Sequence, residues 1–218
     1  MLAQIIYSHQ VIANQFNKSN PEPSSGISQS QKSLSKKFMI VTADKRASLA
    51  AREVLLAGGN ALDAAIAAQN VLSVVEPQSS GLGGGGFLLF FNNIDQKTYA
   101  YDGRETSSSL VKDDMYLINN KKMQFIEAVQ KPISVGVPGL YSMLADAHNK
   151  FGVLQWEKLF ISAIQHSEGF KVGERLNKLL NWAPHIKKNK FVNDTYFNKG
   201  EAKNKGTLIQ NLELAIVL

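Results

Sequence analysis

The 218-residue chain contains no cysteine, which excludes a disulfide framework and every thiolate metal site. No apolar run approaches the ~18–20 residues that a membrane-spanning helix needs. The four histidines (His9, His148, His166 and His185) are scattered without metal-ligand spacing. H-E-x-x-H is missing, and so is the G-x-S-x-G elbow of a serine hydrolase. No metal and no cofactor is therefore expected. No internal repeat stands out, and no nucleic-acid recognition motif accompanies the basic residues.

What is present is an ordinary globular composition, 44% hydrophobic with a net charge of +6, enough to build a core. The excess charge gathers late: from Lys171 onward nine basic residues face four acidic ones. Without a recognition motif, these lysines read as a solvated face and no nucleic-acid partner is expected. The first sixteen residues, MLAQIIYSHQVIANQF, are mildly apolar but lack a preceding basic region and make a poor export signal. Residues 17–37 are rich in Ser, Pro, Gln and Lys without periodicity. Residues 1–37 are thus expected to be a flexible leader and residues 38–218 the folded region.

Phe38–Val41 has the composition of a short strand. Leu49, Ala50, Glu53, Val54 and Ala57 recur at helical spacing, and Gly58-Gly59 closes that helix. Asn60 is placed to cap a second helix over Ala61–Val75, with Asp63 supporting its first turn and Pro77 ending it. Alanine on so much of its circumference predicts burial on several sides. Phe87–Phe91, a polar turn NNIDQK and TYAYDGRE form a hairpin. Further helices are expected over Leu140–Lys150, Trp156–Glu168 and Glu174–Lys188, the last broken at Pro184. The fold class is α+β.

Between the second helix and the hairpin lies Gly81-Leu82-Gly83-Gly84-Gly85-Gly86, a literal G-x-G-x-x-G. A dinucleotide loop needs a strand before the glycines and a helix after them, so that the helix N-terminus meets the pyrophosphate. Here the order is reversed, and no Lys-Ser/Thr follows Gly86 as a P-loop would require. The run is instead expected to turn at positive φ and to admit a close neighbouring backbone, with its N–H groups able to line a small anion site.

AGGNALDAAIAAQNVLSVVEPQSSGLGGGGFLL, then YDGRET, then GVPGL, in that order and spacing, resemble the N-terminal part of the large subunit of γ-glutamyltranspeptidases. The resemblance runs from about Val41 to about Leu214. It implies an N-terminal-nucleophile hydrolase fold, an αββα sandwich of which this chain would be an incomplete N-terminal portion. It also implies hydrolysis or transfer of γ-glutamyl groups, as from glutathione, by a threonine whose own α-amino group is the base. Arg104 is then expected to bind the substrate α-carboxylate, with Glu105 and Asp102 as supporting carboxylates; the planar fork of arginine suits that task. Where the family has alanine-proline, Ser107-Ser108 follow.

Thr42, Thr98, Thr106, Thr195 and Thr207 lie in no segment resembling the family's self-cleavage site, so no catalytic residue is assigned. The nucleophile is expected on a small subunit, a partner polypeptide. Periplasmic or extracellular location follows from the resemblance alone. A different expectation stands beside this one: a truncated, inactive relic whose bare strands associate.

Overall fold

The computed structural model of the chain describes residues 32–218; most of the expected leader lies outside the described residues. Two compact units are present, one built on Gly169–Gln210 and the other on Ile40–Glu168 with Asn211–Leu218.

In the larger unit, helix α1 (Lys45–Leu56) starts at Asp44, whose carboxylate accepts the Arg46 N–H at 2.9 Å. It ends at Gly58, whose φ of +93° is what a helix-closing glycine supplies. Helix α2 (Ala61–Val75) carries the capping box anticipated at Asn60 and Asp63. Asp63 is fully buried and also accepts the N–H groups of Val153 and Leu154, each at 3.2 Å. The same carboxylate therefore caps one helix and fastens the chain beyond another.

Leu62, Ile66, Val71, Val74 and Val75 are almost completely enclosed. At ~1.5–3 kcal/mol for each large apolar side chain removed from water, α2 is the central post of this unit. Helix α1 lies against it, as do α5 (Leu140–Phe151) and α6 (Ile161–Glu168). The short α3 (Pro77–Ser80) continues from its end.

Strands β1 (Gly86–Asn92) and β2 (Lys97–Gly103) form the expected hairpin, with Gly86 opposite Gly103 and Leu88 opposite Tyr101. Its inner face rests on α5: the Phe151 ring lies 5.1 Å from that of Phe90 and 4.5 Å from that of Tyr99. A two-stranded hairpin is marginal by itself, and this aromatic seam is what anchors it. Beyond it come a second small hairpin, β3 (Leu117–Ile118) with β4 (Lys121–Lys122), and the single turn α4 (Phe125–Ala128). Helix α9 (Leu212–Val217) returns to α6.

In the smaller unit, β5 (Phe170–Lys171) pairs with β8 (Leu208–Ile209). Helix α7 (Glu174–Trp182) buries Leu176, Leu179 and Leu180. Helix α8 (Lys190–Tyr196) leads into β6 (Phe197–Asn198) and β7 (Glu201–Ala202), joined through Lys199 and Gly200 at positive φ. Two successive left-handed residues match the twist of a tight hairpin.

Two expectations are corrected. Phe38–Val41 is not a strand: it has no ladder partner among the described residues, and Met39 and Val41 stand in solvent. A strand is completed by pairing, which composition alone does not provide. The helix expected over Trp156–Glu168 divides into a 3₁₀ turn, Trp156–Leu159, and α6. The break at Pro184 falls where expected, with α7 ending at Trp182 and a 3₁₀ turn following.

Candidate functional site

Strand β2 stops at Gly103, so Arg104 and Glu105 lie just past the strand rather than in it. The turn is local: the Asp102 side chain accepts the Arg104 backbone N–H at 2.9 Å. Here the chain crosses the entry to α5 at the closest range backbones allow. A Cβ on Gly139 would stand 2.6 Å from the Gly103 carbonyl oxygen and 2.8 Å from that of Arg104; one on Gly103 would stand 2.7 Å from the Met143 Cβ. Thr106 and Val137 then exchange two backbone hydrogen bonds, at 2.8 and 3.2 Å. These contacts leave the Arg104–Glu105 pair little freedom of backbone.

The glycine run forms the opposite wall. Of the two roles expected for it, close approach is the one observed. None of Gly81, Gly83, Gly84, Gly85 or Gly86 has positive φ, whereas a Cβ on Gly85 would lie 2.7 Å from the Gly103 carbonyl oxygen and 2.6 Å from Glu105 Oε2. Contact, not an unusual dihedral angle, requires glycine there.

Between the walls opens a cleft of about 650 Å³. It is lined by Ala65 and Gln69 of α2, by Ser79, Ser80 and the glycines, and by Arg104, Glu105 and Met143. The Arg104 side chain is 57% exposed, and its Nη2 lies 3.3 Å from Glu105 Oε2. The Glu105 side chain is 28% exposed, yet Oε2 itself is enclosed and has no hydrogen-bond donor among the described residues. A half-exposed guanidinium steadied on one edge retains N–H groups for an anionic ligand.

Arg104 and Glu105 are brought together in the cleft. Asp102 serves the backbone turn, with its own residue on the exposed outer face of the hairpin. None of the described threonines lines the cleft. Ala65, Gln69, Ser79 and Ser80 were not singled out in the sequence. The available signal was Gln69, a polar residue four positions after Ala65 in a helix otherwise dominated by alanine and aliphatic side chains.

Residues 47–218 match the family model described as Gamma-glutamyltranspeptidase. The chain is similar to the glutathione hydrolase proenzyme of Bacillus subtilis (strain 168), 36% identical over 183 residues, covering 83% of this chain and 31% of that protein. Among solved structures it resembles the γ-glutamyltranspeptidase of Helicobacter pylori, with a TM-score of 0.79 and 26% identity over 85% of this chain and 54% of that one. It also resembles that of Pseudomonas nitroreducens complexed with L-DON, with a TM-score of 0.73 and 30% identity over 83% and 52%. The chain thus spans under a third of the curated relative's length.

Proposed function

The chain belongs to the γ-glutamyltranspeptidase family, with the α+β, N-terminal-nucleophile-hydrolase type of fold, and from that premise we propose that it supplies the substrate-anchoring wall of an enzyme cleaving γ-glutamyl amide bonds. Glutathione and related γ-glutamyl compounds are the substrates proposed. The observation that carries this reading is Arg104: a half-exposed guanidinium facing a 650 Å³ cleft, on a backbone fixed by glycine crossings on both sides.

In this reading Arg104 donates two parallel N–H bonds to the α-carboxylate of the γ-glutamyl group. Glu105 holds the guanidinium from its other edge, and the Asp102 side chain holds the turn beneath it. Anchored at the α-carboxylate, the donor lays its γ-amide at a fixed distance along the cleft, which lowers the entropic part of the barrier. The nucleophile is a threonine on a partner small subunit, outside these 218 residues. Its hydroxyl oxygen attacks the γ-carbonyl carbon while its α-amino group takes the proton. Collapse of the tetrahedral intermediate expels the amine, which receives that proton, and leaves a γ-glutamyl ester. Water or an acceptor amine then takes the acyl group.

The test is turnover of a γ-glutamyl anilide by the chain together with its nucleophile-bearing part. Arg104→Ala is expected to raise KM and to cost about 2–4 kcal/mol in kcat/KM. Arg104→Lys, which keeps charge but loses the fork, is expected to fall between the two. An unchanged KM in both variants would remove Arg104 from the anchoring role.

A further inference from the structure

We infer that Gln69 is a positioning residue that holds the Ser79–Gly86 wall at its distance from Arg104, and so sets the affinity of the cleft for its donor. The inference rests on the cleft being the γ-glutamyl site. Gln69 Nε2 donates to the Ser80 carbonyl oxygen at 3.0 Å and to Ser73 Oγ at 3.4 Å. Ser73 is itself bonded to the Gln69 carbonyl at 3.0 Å and lies 3.3 Å from the Tyr141 hydroxyl. Tyr141 donates to Asn70 Oδ1 at 2.8 Å, and Asn70 Nδ2 donates to the Leu159 carbonyl at 3.0 Å. Asn70 and Ser73 are buried. A continuous polar chain therefore rises from the core and reaches the cleft through Gln69.

Two features make this single side chain matter. The wall it holds is rich in glycine, with little side-chain packing to fix it beyond the crossing at Gly85, so its position depends also on hydrogen bonds. They include Gln69 to Ser80, the Ser79 and Ser80 N–H groups to the Glu76 carbonyl oxygen at 3.0 Å each, the Gly84 N–H to Gly81 at 3.2 Å, and the Leu140 N–H to Gly84 at 3.3 Å; of these only the bond from Gln69 is made by a side chain. In addition, Tyr141 belongs to the first turn of α5, the turn whose entry crosses Gly103 and Arg104. Both walls are thus referenced to the same buried network. Burial raises the Tyr141 phenol above its ordinary range, so it keeps the proton it donates.

The experiment compares Gln69→Glu and Gln69→Met with Arg104→Ala in the complete enzyme, on a γ-glutamyl anilide. Met keeps the length without a donor, and Glu sets an oxygen against the Ser80 carbonyl. Both Gln69 variants are expected to raise KM about five- to twentyfold with kcat changed less than about twofold, because small displacements of an anchored substrate are costly. A merely structural residue would reduce the folded fraction and hence the apparent kcat, leaving KM in place; that result overturns the inference. If Arg104→Ala raises KM and the Gln69 variants do not, the inference falls and the γ-glutamyl reading stands. If Arg104→Ala leaves KM unchanged, Arg104 is not the anchor and the inference falls with it; if the wild-type enzyme does not turn over, the γ-glutamyl reading falls as well.

Discussion

At the scale of single residues, the glycine run separates into positions that the chain itself requires and one that it does not. A Cβ on Gly85 would meet Glu105 Oε2, the Gly103 carbonyl oxygen and the Arg104 Cα at 2.6–2.8 Å, two of these being backbone atoms that cannot step aside. At Gly83 nothing lies within 4 Å. Gly85→Ala is therefore expected to lower stability by ~1–3 kcal/mol through overpacking. Gly83→Ala should stay within ~0.5 kcal/mol of the parent. Thermal unfolding of the two variants decides the matter; equal destabilisation would mean that the close crossing is not what fixes the wall. The sequence alone did not separate these glycines, because the atoms that crowd Gly85 come from residues some twenty positions later. The Arg104–Glu105 ion pair was legible for the opposite reason: both of its members belong to one local motif.

At the scale of elements, the best-read features were those written in contiguous residues. Helix α2 starts at Asn60, the helix before it closes on Gly58-Gly59, and the hairpin turns through NNIDQK, each as local capping and turn chemistry dictates. What is not local is not legible: the sequence shows Asp63 as a first-turn acid, whereas its second task, receiving the Val153 and Leu154 N–H groups, joins residues about ninety positions apart. Asp63→Ala removes a buried carboxylate that accepts from those donors and from the Asn60 N–H, an expected loss of about 2–4 kcal/mol, readable as a lower urea midpoint. Asp63→Asn, retaining one carbonyl oxygen, should lose less.

The start of α1 carries a pH dependence. Burial, followed by repulsion from Arg46, lowers the His166 pKa, with Asp44 opposing them. The unfolded chain then takes up this proton at higher pH than the folded one. Stability is full above the ordinary value near 6.5 and declines as pH falls below it. Asp44 is lowered as well: burial opposes its ionisation, but hydrogen bonds from Arg46 outweigh that. Its contribution is present above the ordinary carboxylate value and is lost as pH falls through the lowered one. Thermal midpoints between pH 7 and 5 should decline in the parent and flatten in His166→Gln. Persistence of the decline in that variant would assign it to other groups.

At the scale of the whole molecule, strand β1 alternates strictly. Leu88 and Phe90 face inward, while Phe87, Leu89 and Phe91 are 72%, 75% and 55% exposed. Their partners Asp102, Ala100 and Thr98 continue that outer face on β2. An apolar sheet face of this kind is ordinarily covered in a folded protein, and every sheet among the described residues has only two strands. In the sequence the run GFLLFF showed a strand, but a run apolar on both sides cannot say which side finds its cover within the chain. The outer face is therefore expected to bind an environment-sensitive hydrophobic dye in the isolated chain. Phe87→Ser combined with Leu89→Ser should reduce that fluorescence severalfold without lowering the thermal midpoint, because neither side chain contributes to the seam on α5. The inner-face change Phe90→Ser should do the reverse, lowering the midpoint through loss of its contact with Phe151. Equal dye binding by parent and outer-face variant would mean that the β1 face is already covered in solution.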